Sequence, residues 1–138
     1  MTVPLTELAD RLGGAALLPA DVVRAGAAGL VEIGGEVAVL PDGRFLEIGS
    51  ALVELGVSPS IVLEEWEALS AVMADVSARF VAIFETELLP HMQDAPLAEI
   101  SRAVDQLAGL AREVTVVALE QALRRDVDRF ASRAGGPE

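Results

Sequence analysis

From residue 58 onward the apolar residues recur at alternating steps of four and three, and that spacing leaves few folds open. Val62, Trp66, Leu69, Met73, Val76, Phe80 and Ile83 fall on one stripe of a helix. Ser58 is placed to cap it and Pro59 to occupy its first turn. The spacing predicts a helix reaching Leu89-Pro90, roughly 30 residues and on the order of 45 Å long. A stripe of that length needs a second helix to cover it. The candidate runs from about Pro96 to Ser132, where Leu97, Ile100, Val104, Leu107, Leu110, Val114, Val117 and Phe130 form a broad apolar face. With His91 to Ala95 as the turn, an antiparallel helical hairpin is expected over residues 58–133. Val116, Leu119, Leu123 and Val127 widen the face beyond the reach of one neighbour, so a homodimer is expected. The glycine-rich end, residues 134–138, is expected to be a disordered tail.

Residues 1–57 carry shorter signals. Leu5, Leu8, Ala9 and Leu12 have helical spacing, stopped by Gly13-Gly14. Pro19 opens a second helix through Val22, Val23 and Ala27 to Gly29. Two β-rich runs, Leu30 to Ile33 and Glu36 to Leu40, flank Gly34-Gly35 and predict a hairpin. Phe45, Ile48, Leu52 and Leu55 then give a third helix ending at Gly56. The expected fold is mainly α, with one domain at 1–57 and a helical region at 58–133.

Composition excludes several kinds of chemistry. Among 138 residues there is no cysteine, which removes disulfides, thiolate nucleophiles and thiolate-held metals. One histidine, His91, leaves little room for a Ser-His-Asp triad, and its acidic neighbours Glu85, Glu87 and Asp94 offer no second imidazole for a metal. The run Glu64-Glu65-Trp66-Glu67 suits a solvated helix face better than an acid–base pair, because adjacent helical residues point apart. The glycine pairs match neither dinucleotide nor phosphate-loop patterns. We therefore expect no enzyme activity, no cofactor and no metal. There is no uninterrupted apolar run of membrane-spanning length and no signal-peptide layout at the start, so the sequence is read as cytoplasmic.

The net charge of −12 opposes attraction to phosphate backbones. Residues 1–95 hold fifteen acidic side chains against Arg11, Arg24, Arg44 and Arg79, and residues 96–138 hold seven against six. Trp66, Met73, Phe80 and Phe84 could line an apolar pocket against Val114 and Val117, taking a hydrophobic small molecule. The same residues would equally serve as core. Val62, Leu69, Val76 and Ile83 are the expected dimer seam.

The phrases LTELADRLGG, DVVRAGAAGLVEIGGEVAVL and RFLEIGSALVELGVS resemble the winged helix-turn-helix of MerR-type proteins. Together with ARFVAIFETELL, the chain to about Arg133 resembles the C-terminal region of actinobacterial MerR-family transcription regulators. That resemblance implies a degenerate winged helix followed by a helical effector and dimerisation region, with DNA reached only through an attached or partner domain. No DNA-binding residue is expected here, since residues 1–41 carry two arginines against five acids. Two other functions remain open at this stage: a stand-alone acidic protein-interaction module, or a small hydrophobic-ligand-binding protein.

Overall fold

Three segments of three residues, β1 (Thr2–Pro4), β2 (Glu32–Gly34) and β3 (Val37–Val39), pair into one antiparallel sheet of order β1-β3-β2. They belong to a computed structural model that describes residues 1–135. Val3 and Ile33 both lie opposite Ala38, with Val3 and Ala38 buried. The pairing continues past the strands, because Leu40 donates its N–H to the Met1 carbonyl at 2.8 Å and receives the terminal amine on its own carbonyl at 3.1 Å. Gly35 takes a φ of 65°, which a tight turn at that point requires. The hairpin matches expectation. Strand β1 was not legible, because three residues ending in proline carry no readable alternation.

Three short helices pack with this sheet: α1 (Leu5–Arg11), α2 (Pro19–Ala27) and α3 (Arg44–Glu54). Their shared core is Val3, Leu8, Val31, Ala38, Leu40 and Leu46, with Leu5, Leu12 and Ala25 against it. The turn after α1 is made by Gly13 at a φ of 105°. Helix α3 turns a different face inward from the one its spacing suggests. Leu46 and Gly49 are buried, whereas Ile48 is 59% and Leu55 82% exposed. The reason is steric: α1 approaches α3 so closely that a Cβ on Gly49 would lie 3.1 Å from Leu12 Cδ2.

Helix α4 (Pro59–Ile83) begins as Ser58-Pro59 suggests, with the Val62 N–H bonded to the Ser58 carbonyl. Pro59 and Leu63 are buried, and the Trp66 ring meets Phe45 edge-on at a centroid distance of 4.5 Å. These contacts draw the start of α4 into the first unit. The chain divides into two compact units at Met73/Ala74, whereas the helix start at Ser58-Pro59 put the expected boundary after residue 57.

In the second unit, from Ala74 onward, α4 gives way to a π-helical turn at Phe84–Leu88 and a 3-10 turn at Leu89–Met92. Pro90 lacks the N–H that would continue the α-helix, and the path tightens there. The helical path thus extends to Met92, into the segment expected as a turn. Helix α5 (Leu97–Ala134) follows, and none of its residues is buried. Of the tail expected at 134–138, Ala134 closes α5, Gly135 follows in a turn, and residues 136–138 lie outside the described residues. Among the described residues no helix is long and apolar enough to cross a membrane.

The close approach of α1 and α3 is testable by urea unfolding. Gly49→Val should destabilise the protein by about 1–3 kcal/mol through overpacking. Gly34→Ala, where an added Cβ meets nothing within 4 Å, should change stability by less than about 0.5 kcal/mol.

Candidate functional site: an apolar cavity in the first unit

The side of α3 that does not face the core carries Phe45, Ile48 and Leu52, spaced three and four apart. With Leu12, Val22 and Leu69 from the neighbouring helices, these residues line a cavity of about 570 Å³. That volume lies within the range of small-molecule sites. Ile48, Ile61 and Leu69 are about half exposed, at 59%, 46% and 50%, so the cavity opens to solvent along them. Trp66 and Phe45 form part of its wall.

Only two lining residues ionise, Asp21 and Glu65, and both are acidic. Asp21 is 3% exposed. Burying a carboxylate is costly unless its oxygens are hydrogen-bonded, and here both are. The Leu18 N–H donates to Oδ2 at 3.0 Å, which caps α2, and the Ser60 hydroxyl donates to Oδ1 at 2.8 Å. Asp21 therefore fastens the start of α2 to the start of α4 and has its acceptors engaged within the protein. A second tie between the same helices is the fork from Arg24 to Glu67, with Nε–Oε1 at 2.8 Å and Nη2–Oε2 at 3.1 Å. The Arg24 hydrogen bonds hold the Glu67 carboxyl below its ordinary range, and Glu67 raises Arg24.

Of the six residues expected to line a pocket, this cavity contains only Trp66. Met73 is 38% exposed and outside it; Phe80 and Phe84, half-buried, and Val114 and Val117, exposed, belong to the second unit. From the expected seam, Val62 and Leu69 line the cavity, while Val76 is half-buried and Ile83 is 45% exposed in the second unit. The lining from α1, α2 and α3 was missed. A signal existed in α3, where Leu46, Gly49 and Val53 form one apolar row and Phe45, Ile48 and Leu52 another, and both rows line the cavity.

No protein family, curated protein or solved structure matches the chain.

The Asp21 network should behave as a unit. Asp21→Ala should cost about 2 kcal/mol of stability, because a charge-assisted cap and the tie to Ser60 are lost together. Ser60→Ala should cost about 1–2 kcal/mol by leaving one carboxylate oxygen unpaired. Measured by denaturant unfolding, the double variant should cost clearly less than the two single losses combined.

Proposed function

We propose that this chain is the effector-sensing and dimerisation part of a MerR-like transcription regulator, not itself the main DNA reader, and that the cavity of the first unit takes up an uncharged, largely apolar small molecule. The observation that carries the reading is the cavity itself: about 570 Å³, lined by apolar side chains and open to solvent. An anionic ligand would meet Asp21 and Glu65 in a protein of net charge −12, which opposes its entry.

The order helix, helix, hairpin, helix supports a winged helix-turn-helix scaffold, with the N-terminal strand paired to the second strand of the hairpin. The electrostatics favour a scaffold that has lost DNA reading. Arg24 is the sole basic side chain of α2, and it is forked onto Glu67. Arg44 is likewise engaged by Asp42, which that pairing lowers to about 2. Few cations are then left in the first unit for phosphates. Helix α4 carries Val62, Trp66 and Leu69 of the cavity wall and continues into the second unit. A ligand that prefers one arrangement of α4 would bias the dimer geometry and, through it, an attached or partner DNA-reading domain. The helices α4 and α5 are the dimerisation and effector-coupling region in this scheme.

The cavity also favours a second reading, a small carrier of hydrophobic ligands, which would bind the same molecules without any ligand-dependent change in assembly.

Trp66 is the single tryptophan, so its fluorescence reports directly on the cavity. Titration with the neutral dye Nile red should quench Trp66 in a saturable manner, and anionic anilinonaphthalene sulfonate should bind at least about tenfold more weakly. Leu69→Glu should weaken Nile red by about tenfold or more, since it places a charge in an apolar wall. Unsaturable quenching, or equal binding to the Leu69→Glu protein, would remove the cavity as the site. In anisotropy titrations with a labelled 20-bp DNA duplex at about 50 mM salt, where phosphate contacts are strongest, the chain should show no binding at 10 μM.

A further inference from the structure

The cavity of the first unit has an inner end and a rim. Leu8, Val31, Leu40 and Leu46, all buried, line it on the core side. Ile61 and Leu69, about half exposed, line it on the solvent side, and Glu65 stands between them, four residues from each along the same face of α4. Glu65 is itself exposed. Of all the lining residues, only Asp21, Glu65 and Trp66 carry polar atoms in their side chains. The Asp21 oxygens already accept from the Leu18 N–H and the Ser60 hydroxyl, and no ion pair among the described residues engages Glu65. The free side-chain acceptor of the cavity is therefore one carboxylate at its rim.

That arrangement restricts what can bind. A polar group carried to the inner end would lose its water and meet no partner, which is costly, so the body of the ligand must be hydrocarbon. A polar end left at the rim faces Glu65, and an ionised carboxylate only accepts, so that end must donate. An ether, ester or ketone cannot donate, and a carboxylate is repelled by Glu65 in a chain of net charge −12. An ammonium group donates, but it surrenders a strong hydration shell for an exposed ion pair, which contributes little. A hydroxyl donates while uncharged.

We infer that the cavity takes an aliphatic alcohol, chain inward and hydroxyl at the rim, and that Glu65 selects it by accepting the hydrogen bond of the hydroxyl. The inference rests on the cavity reading above and names its ligand class. Every residue it uses lies in the first unit.

The test is displacement of Nile red from the full chain by 1-decanol and by its isomer 1-methoxynonane, each below its solubility limit. The two share one formula and differ in whether the oxygen carries a proton. The proteins compared are the parent, Glu65→Leu and Glu64→Leu, the last removing an equal charge from a neighbour that does not line the cavity. Both positions are exposed and leucine is a strong helix former, so both variants should keep the far-ultraviolet circular dichroism of the parent. Taking the ratio of the two dissociation constants in each protein cancels the different hydration of the two ligands. Glu65→Leu should cut the advantage of the alcohol over the ether by about tenfold, as loss of one hydrogen bond to a charged acceptor requires, and leave the affinity for the ether within about threefold. Glu64→Leu should leave the ratio within about twofold. In the parent, each methylene added between 1-hexanol and 1-decanol should tighten binding by about fourfold. An unchanged ratio in Glu65→Leu overturns the inference, as does an equal fall in Glu64→Leu. Decylammonium that displaces the dye more than about tenfold better than 1-decanol overturns it as well. Dye that binds saturably at Trp66 but is displaced equally by both isomers in every protein removes the alcohol and leaves the cavity reading standing, whereas dye that never saturates removes both.

Discussion

Helix α5 sets the terms for the second unit, because none of its side chains is fully buried. More than half of all residues are hydrophobic, yet the buried apolar core described here contains only seven. Six of those seven form the core of the first unit and the seventh, Leu63, lies at the start of α4. The second unit therefore owes little of its stability to buried side chains of its own. Backbone hydrogen bonds along a helix contribute modestly in water, and an amphipathic face normally supplies most of helical stability by packing. The dimerisation proposed above would supply that packing.

The first unit solves a different problem. Its sheet and short helices enclose a small core, and beside it α3 lends Phe45, Ile48 and Leu52, with Leu46, Gly49 and Val53, to a cavity that Trp66 and Leu69 of α4 also line. Beside the cavity, α2 and α4 are joined by two polar ties, Asp21 to Ser60 and Arg24 to Glu67. Helix α4 belongs to both units, so any ligand that presses on Trp66 acts on an element the second unit shares. In the function proposed above, binding and assembly would be connected through this helix.

Much of this was legible in the sequence where a local cause fixes a local structure. Gly13-Gly14 ends α1, Pro19 starts α2, Gly34-Gly35 turns the hairpin, and Ser58-Pro59 begins α4, each through a backbone property of the residues named. The apolar steps in α4 and α5 predict long helices, which are present. What was not legible depends on tertiary packing. Strand β1 exists only because β3 pairs with it. The inward face of α3 is chosen by the approach of Leu12 to Gly49, and periodicity alone selects the other face. The π-turn at Phe84–Leu88 has no sequence signature beyond the proline that follows. Of the residues read as a pocket lining, Trp66 alone lines this cavity, since helical spacing gives neighbours on one helix and says nothing about which other helix they meet.

If folding of the second unit and the proposed dimerisation are one process, stability must depend on protein concentration. Following thermal unfolding by circular dichroism at 2, 20 and 200 μM tests this most directly. The account predicts a midpoint that rises by several degrees over that range, as mass action requires when folding is coupled to dimerisation. A midpoint independent of concentration, with reversible unfolding at every concentration, would contradict it.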